Sequence, residues 1–149
     1  MNELYLMIAI APRGSARQFL ALFARHNVAV TLSTLGQGTA SSQLLDYFGL
    51  EKSEKVVTFS VVTRSSWRAV KSAMQRELRI DVPGTGIAFI VPLSSIGGKK
   101  PLAFLTEGQD FEAGEESVLR DTRYELLVVI ANQGHTELIM DAAREQQAG

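Results

Sequence analysis

Cysteine is absent from this chain of 149 residues, and its absence excludes several classes of protein. Without a thiol there is no disulfide framework, no thiolate nucleophile and no zinc site built on cysteine. Long apolar runs are missing too, because the longest, Leu4–Pro12, has less than half of the ~20 residues that a membrane-spanning helix needs. That run follows Glu3 rather than a basic segment, which is not typical of a signal peptide. We therefore expect a soluble, cytoplasmic protein that does not insert into a membrane.

Acidic residues are few in the first 100 residues and basic residues are few in the next 22, so the net charge of −1 hides an uneven distribution. Residues 1–100 carry twelve Lys and Arg against six Asp and Glu, and residues 101–122 carry six acidic side chains against Arg120 alone. A basic body favours an anionic ligand or partner. A basic surface balanced by a solvated acidic loop is the simpler interpretation of the same charges. The hydrophobic share of 46% is that of an ordinary globular protein, and the length corresponds to about one domain.

Strand-type and helix-type periodicities alternate along residues 4–93 in the order β-α-β-β-α-β. Ser15 and Gln18 form a capping box that predicts the start of the first helix, and Asn27 is expected at its end. Either of two serines is expected to cap the second helix, and this order predicts an α+β, ferredoxin-like fold with strand order 4-1-3-2. The two serines are Ser65 and Ser66, and the apolar stripe of the second helix is predicted at Trp67, Val70, Met74 and Leu78. The strands are predicted at residues 4–11, 28–33, 56–62 and 87–93.

The start of the chain recurs at an offset of 120 residues. This repeat predicts three regions: a ferredoxin-like domain over residues 1–98, an acidic linker over residues 99–122, and an incomplete second βα unit over residues 123–149. One strand and one helix cannot bury their own apolar faces, so we expect the βα unit to dock on the first domain or on another chain. The recurring residues are Leu6, Ile10, Ala11 and Gly14, which correspond to Leu126, Ile130, Ala131 and Gly134.

Catalytic constellations are not found in the sequence. His26 lies at a predicted helix end and His135 at a predicted helix start, and neither has a nucleophile or a second histidine at a recognisable spacing. No P-loop, dinucleotide-binding fingerprint or metal-ligand spacing occurs either. We therefore expect a protein that is not an enzyme, with no catalytic residues and no metal site.

Two short glycine segments are the candidate ligand-binding residues. Glycine lets backbone N–H groups converge on an anion, and threonine adds a hydroxyl donor. The structural explanation of the same residues is a tight turn that only glycine tolerates. If both segments reach one cleft, the sequence predicts an anion-binding site there. The candidates are Gly36, Gln37, Gly38 and Thr39 after the second strand, and Gly84, Thr85 and Gly86 before the fourth.

Residues 4–98 resemble the PII signal-transduction proteins, the nitrogen-regulatory family of ferredoxin-like trimers. The first strand ends in Ile10-Ala11-Pro12, which is similar to the family's opening strand, and Gly36-Gln37-Gly38 stands where the family's long T-loop begins. The best local match is GTGIAFIVPL, Gly84 to Leu93, which is similar to the family's phosphate-cradling loop and its following strand. The chain is also similar to a PII-like subgroup with two such modules in tandem.

Three features depart from the family's pattern. Ile87 stands where the family has a phosphate-facing lysine, and residues 96–100 replace its arginine-rich segment, with Lys99 or Lys100 as candidate substitutes. The segment over residues 39–54 is short and is expected to hold a helix rather than an extended loop. The resemblance implies a non-enzymatic signal-transduction protein that binds a small anionic effector at subunit interfaces and regulates a partner protein. An adenine nucleotide is one candidate effector, with AMP or a cyclic nucleotide favoured over ATP.

Self-association is expected from the strands themselves. Two helices cover one face of a four-stranded sheet, yet the first and fourth predicted strands are apolar on both parities. The uncovered face, with Ile8, Ile10 and Phe89 or their neighbours, would form a large apolar patch in a monomer. We therefore expect a homo-oligomer, a trimer by the resemblance or else a dimer.

Two other functions share this topology. An RNA-recognition module requires aromatic side chains on its two central strands, and the third predicted strand has only Phe59. We therefore expect no nucleic acid as a partner. A structural oligomerisation module without a ligand, similar to trimeric ferredoxin-like copper-tolerance proteins, remains the other alternative.

Overall fold

The structure, a computed structural model, describes residues 3–38, 54–114 and 125–147 of the chain. Its first compact unit is Met1–Val118 and its second is Leu119–Gly149. The helix expected within residues 39–54 lies almost wholly outside the described residues. The elements of the first unit are β1 (Leu4–Pro12), α1 (Ala16–Arg25), β2 (Leu32–Gln37), β3 (Glu54–Thr63), α2 (Arg64–Glu77), β4 (Ile87–Pro92) and α3 (Lys99–Leu105), and the second unit contains α4 (Thr136–Glu145).

The four strands form one antiparallel sheet in the order β2-β3-β1-β4. This order and the element sequence confirm the predicted α+β, ferredoxin-like fold. β1 lies inside the sheet, between β3 and β4. One face of β1 packs against helices, which accounts for the apolar residues of one parity, and the apolar residues of the other parity lie on the face that the helices leave uncovered.

The core lies between the sheet and the helices α1 and α2. Alternate residues of β1 face the helices, and Phe19 and Phe23 of α1 meet edge to face with ring centroids 6.2 Å apart. The predicted stripe of α2 is confirmed, because Val70 and Met74 are buried in this cluster while Trp67 packs against its margin. The other buried members are Tyr5, Met7, Ala9, Ala11, Leu22, Val28, Val62 and Ala73.

The first helix ends as predicted but begins differently. Ser15 makes no capping hydrogen bond, so the predicted capping box is wrong, and a 3-10 turn over Arg13–Ser15 leads into α1 instead. At the other end Asn27 has φ of 62°, and the Val28 N–H donates to the Phe23 carbonyl at 3.0 Å. This is a Schellman-type ending, which uses Val28 to close the helix. The second strand therefore begins at Leu32 rather than at residue 28.

The cap of the second helix also differs from the prediction. The Thr63 hydroxyl accepts a hydrogen bond from the Ser66 N–H at 3.2 Å, so Thr63, and not Ser65 or Ser66, is the cap. Threonine at this position also ends β3, so one residue closes the strand and opens the helix without a connecting loop.

Part of the predicted acidic linker belongs to the first unit. α3 lies within it, and beyond α3 the side chain of Gln109 contacts β3 twice. Its Nε2 donates to the Val61 carbonyl at 2.7 Å, and its Oε1 accepts from the Thr63 N–H at 2.9 Å. Because β2 pairs with β3 only as far as Phe59, Gln109 supplies partners to backbone groups that have no strand beside them.

The second unit contains one of its two predicted elements. α4 forms where the repeat places a helix, whereas residues 125–131 form no strand, and no other described segment of this unit is a strand that could pair with them. The docking of the βα unit and the division into three regions stay predictions. Among the described residues, the helices all lack the length and apolar character required to span a membrane.

Candidate functional site

The two candidate glycine segments lie at the same end of the sheet but on opposite edges. In the strand register Gly36 pairs with Lys55, and Lys55 pairs with Pro12 at the end of β1. On the other side Ile87 pairs with Ile10, which places Gly86 beside the same end of β1. Three strand spacings of about 4.8 Å separate β2 from β4, so the segments are about 14 Å apart within one chain. A small anion cannot contact both of them in a single copy.

Gly36 and Gln37 are the last two residues of β2, Gly38 follows the strand, and Thr39 lies outside the described residues. Gly36 does not have a positive φ. A Cβ added there would meet only the Val57 Cγ2 atom, at an ordinary contact distance of 3.5 Å. Backbone geometry therefore does not require glycine at position 36, and the tight-turn explanation fails for it.

Gly84 and Gly86 have a clear structural role. Gly84 has φ of +89° and Gly86 has φ of +144°, conformations that L side chains rarely adopt. A Cβ on Gly86 would lie 2.9 Å from the Ile10 carbonyl oxygen and 3.1 Å from the Phe19 ring. The tight-turn explanation therefore accounts for both glycines of this segment, whether or not a ligand binds there.

Thr85 uses its hydroxyl within its own loop. Its Oγ1 lies 2.7 Å from the Val82 carbonyl oxygen and 3.0 Å from the Arg79 carbonyl oxygen. The Thr85 N–H also donates to the Val82 carbonyl, at 3.3 Å. The hydroxyl proton predicted for an anion is thus engaged in closing the turn. Arg79 itself has φ of 50°, and its exposed side chain lies in this same turn.

Lys55 is a candidate site residue that the sequence reasoning missed. It is half-buried, it pairs with Gly36 across the β2–β3 ladder, and its side chain makes no hydrogen bond or ion pair within the described residues. The neighbouring Arg13 is paired, because its Nη1 lies 2.6 Å from the Glu54 carboxylate. The available signal was a lysine at the start of the third strand. Only the register shows that this lysine lies beside Gly36.

The histidines lie at helix ends, as predicted. His26 is the C-terminal cap of α1, and the ring of His135 lies at the start of α4 with its Nδ1 3.1 Å from the Asn132 carbonyl oxygen. Residues 3–38, 54–114 and 125–147 hold no group of three or more metal-ligating side chains.

A second polar cluster lies at the far end of β1, away from the glycine segments. The Arg64 guanidinium donates to Glu3 at 2.7 Å and to the Tyr5 hydroxyl at 2.8 Å, and that hydroxyl donates to Glu3. The hydrogen bond from Tyr5 and then the contacts with Arg64 lower the pKa of Glu3. All three groups satisfy one another, so the cluster stabilises the N-terminus of β1 rather than leaving a group free for a ligand.

The face of the sheet opposite the helices is apolar. Ile8 lies between Phe59 and Phe89 in the strand register, and Phe89 and Ile87 are 44% and 57% exposed. This confirms the predicted apolar face. Tyr5, the aromatic residue of β1, faces the helices and is buried, so β1 and β3 do not present the paired aromatic side chains of an RNA-recognition module.

No family model and no curated protein matches this chain. Among the solved structures that are similar to this chain are three PII and PII-like proteins. A PII-like signalling protein from Thermus thermophilus is 14% identical with a TM-score of 0.47, covering 61% of this chain and 86% of that one. A nitrogen regulatory PII-like protein from Thiomonas intermedia, bound to ADP, AMP and bicarbonate, is 12% identical with a TM-score of 0.49, covering 61% and 90%.

The third is the PII protein of Arabidopsis thaliana bound to citrate, which is 16% identical with a TM-score of 0.47 and covers 61% of this chain and 78% of that one. These solved structures belong to the family that residues 4–98 resemble. Likenesses at this level concern the fold and carry no inference about a ligand or a partner.

Proposed function

We propose that this chain is a non-enzymatic, PII-like signalling protein that binds a small anionic effector between copies of itself and regulates a partner protein. The observation that supports the proposal is the register at one end of the sheet. There Gly36 lies beside Lys55, a lysine without a counter-ion in the described part of the chain, and the Gly84–Gly86 turn lies at the same end of the opposite edge. Gly36 has no steric reason within its own chain to be glycine, and we attribute it to the close approach of a ligand.

The site requires two copies because the segments are about 14 Å apart in one chain. If the β2 edge of one copy adjoins the β4 edge of another, Gly36 and Lys55 of the first approach the Gly84–Gly86 turn of the second. Arg79 in that turn adds a second cation. Two cations suit a phosphate or a carboxylate.

The chemistry of the turn favours a small anion over a triphosphate. Ile87 occupies the place after Gly86 and is exposed, so no ammonium group follows the turn there. One charge-assisted hydrogen bond contributes roughly 1.5–3 kcal/mol, and ATP would lose that contribution. AMP or a cyclic nucleotide is therefore the favoured adenine nucleotide.

Calorimetric titration with ATP, ADP, AMP and cyclic AMP tests the proposal. We expect micromolar binding of at least one nucleotide, and Lys55→Met should weaken it at least tenfold because the ammonium group beside Gly36 is lost. Arg68→Met is the matched control, since it removes the same charge from the exposed first half of α2. Equal weakening in both variants would show a general effect of net charge and contradict the assignment of Lys55.

Self-association is the second part of the proposal. The exposed side chains of Ile87 and Phe89 lie on an apolar face that soluble monomers rarely present to water. We expect light scattering to give the mass of a trimer, or else of a dimer. A single-chain mass at a concentration of about 50 μM, well above the Kd of an ordinary stable oligomer, would contradict this part.

A structural oligomerisation module without a ligand is the second candidate function. The observation that favours it is the geometry of Gly84 and Gly86, which the turn alone explains. An oligomer that binds none of the four nucleotides, nor citrate or inorganic phosphate, would establish this candidate in place of the first.

A further inference from the structure

The two helices that cover the sheet form a layer whose charges are almost all positive. α1 carries two arginine or lysine side chains and α2 carries four, against a single acidic side chain, Glu77. That acid is already paired, because the Arg25 guanidinium of α1 lies 2.6 Å from its carboxylate. The outer surface of the layer is therefore basic. Its cations without an ion pair in the described part of the chain are Arg17, Arg68, Lys71 and Arg76.

The charges of α2 are aligned along its exposed side. Arg64, Arg68, Lys71 and Gln75 are all exposed and follow one another at intervals of four, three and four residues, which places them in one row along the helix. We call them the α2 row, which is about 16 Å long because an α-helix rises about 1.5 Å per residue. Positive charges at these intervals repel one another and lower the stability of a helix. A partner with negative charges at the same spacing would relieve that repulsion.

Arg64 keeps part of its guanidinium free, although it belongs to the cluster at the start of β1. Its contacts there, with Glu3 at 2.7 Å and with the Tyr5 hydroxyl at 2.8 Å, are both made by Nη2. A guanidinium has five N–H groups in a planar fork, so the N–H groups on Nη1 and Nε, which have no partner among the described residues, remain available. The Arg64 side chain is 59% exposed. Arg64 can therefore donate to a partner without leaving Glu3.

The helical layer lies on the opposite side of the sheet from the apolar face that self-association would cover. Val70 and Met74 hold α2 against one side of the sheet, and Phe89 lies on the other side, where it is 44% exposed. Association through the face that carries Phe89 leaves the outer side of α2 in contact with water. The α2 row is therefore accessible in a single chain and in an oligomer alike.

Two other kinds of anionic partner fit this layer less well than a protein does. The major groove of DNA is about 12 Å wide and admits one helix. Because α1 packs beside α2 and is joined to it by the Arg25–Glu77 ion pair, the layer is about 18–20 Å wide. A lipid surface binds a helix through its apolar side, and in α2 that side, with Val70 and Met74, is buried against the sheet.

A helix of a partner protein matches the α2 row in spacing. Carboxylates at intervals of four, three and four residues form a row of the same length, because both helices have the same rise. This order of intervals is the same in both directions, so the match holds for a parallel and for an antiparallel helix. The exposed residues beside the α2 row have small side chains, which lets two helix axes approach to the usual distance of about 8–10 Å. These residues are Ser65, Ala69 and Ser72.

We infer that the α2 row is the docking surface for an acidic helix of the partner protein, whose carboxylates lie opposite Arg64, Arg68 and Lys71. Arginine binds a carboxylate through two parallel N–H groups, which fixes the register of the two helices. Because exposed charges are screened by salt, we expect a complex whose affinity falls as the ionic strength rises. The inference rests on the regulation of a partner protein in the proposed function and deepens it, because it assigns the surface and the chemistry of that partner.

Fluorescence anisotropy with a synthetic peptide tests the docking surface. The probe is a fluorescein-labelled, alanine-based peptide of about 20 residues, long enough to form a helix in water, with glutamates at intervals of four, three and four residues. A second peptide has the same composition, but its glutamates are spread around the helix. We expect the natural chain to bind the first peptide at least about tenfold more tightly than the second at low salt, because only the first matches the α2 row in register.

Charge reversal in the α2 row should remove this preference. We expect the double variant Arg68→Glu, Lys71→Glu to bind the first peptide at least about tenfold more weakly, because like charges then face each other. The double variant Lys99→Glu, Lys100→Glu is the matched control, since it changes the net charge by the same amount at exposed positions of α3 and should leave the affinity nearly unchanged. All four residues are exposed, and an unchanged thermal midpoint verifies that both variants are folded.

Equal binding of the two peptides, or an equal loss in the two double variants, would show a general attraction between opposite charges and overturn the inference. Failure of the natural chain to bind the first peptide would overturn it as well. Tighter binding of an oligothymidylate, or of vesicles rich in phosphatidylserine, through Arg68 and Lys71 would assign the α2 row to nucleic acid or lipid instead.

The outcome is separable from that of the effector proposal, because the peptide measurements contain no nucleotide. A chain that binds the first peptide through the α2 row but binds no nucleotide supports the docking surface and contradicts the effector proposal alone. A chain that binds a nucleotide but does not distinguish the two peptides overturns the docking surface alone.

Discussion

Two glycines illustrate how differently the same residue type is used at the two edges of the sheet. Gly36 has room for a Cβ and an ordinary backbone conformation, whereas Gly86 has φ of +144° and lies against the Ile10 carbonyl. We expect Gly36→Ala to stabilise the protein by about 0.4–1 kcal/mol, since alanine restricts the unfolded chain. Gly86→Ala should destabilise it by about 1–3 kcal/mol through backbone strain. Urea unfolding of both variants measures the contrast, and equal effects would contradict it.

The carboxyl group of Glu77 gives a prediction about acid stability. The Arg25 guanidinium donates to it at 2.6 Å, which lowers the pKa of Glu77 from its ordinary value of 4.5. A carboxyl group whose pKa is lowered by folding stabilises the folded state above that ordinary value, and loses this effect as the pH falls through the folded value. Glu77→Gln should therefore lower the urea midpoint at pH 7 and leave it unchanged near pH 2.

The control for this pH dependence is Glu107→Gln, which neutralises an exposed carboxyl group outside any ion pair of the described residues. Its midpoint should change little at either pH. An equal loss in both variants at pH 7 would mean that net charge, and not the Arg25 contact, is responsible. High salt should reduce the effect of Glu77→Gln, because both partners are solvent-exposed.

Among the secondary-structure elements, β3 depends on a side chain for part of its edge. Gln109 bonds the Val61 carbonyl and the Thr63 N–H, beyond the point where β2 ends. We expect Gln109→Ala to destabilise the protein by about 1–3 kcal/mol, because both backbone groups lose their partner. Hydrogen exchange at the Thr63 amide should accelerate, while Glu107→Ala leaves it unchanged. Unchanged exchange in the Gln109 variant would show that Gln109 does not protect this amide.

The sequence predicts the elements best where one periodicity acts alone. β1, β3 and the stripe of α2 follow directly from apolar alternation and helical spacing, and all three form as expected. The start of β2 is not predictable in this way. Val28 fits the apolar alternation of a strand, but its N–H bonds the Phe23 carbonyl in the Schellman ending of α1. The strand that pairs with β3 therefore begins later, at Leu32.

The candidate site is predictable only in part, for a similar reason. The glycines are visible in the sequence, but the positive φ that explains Gly86 is not. In the sequence Lys55 is an ordinary lysine at the start of a strand, and only the pairing of β2 with β3 shows that it lies opposite Gly36. Contacts across strands are set by tertiary pairing rather than by neighbours in sequence, so the partners of a site residue stay hidden.

For the whole molecule, assembly and stability should be coupled. Burial of the apolar face between copies stabilises the folded chain only when copies associate. We expect the thermal midpoint to rise as the protein concentration increases from about 1 to about 100 μM, by mass action on the oligomer. Phe89→Asp, which places a charge on that face, should make the midpoint independent of concentration. A concentration-independent midpoint in the natural chain would mean that the folded unit is complete alone.

Trp67 gives the folded chain an optical signature. It is the only tryptophan in the sequence, and its indole ring lies half-buried against the margin of the core. The emission of an indole shifts to shorter wavelength when water leaves its surroundings, so the folded chain should emit at shorter wavelength than the unfolded chain. The natural chain therefore carries an intrinsic fluorophore at the edge of its core, and its emission colour would follow unfolding without any label.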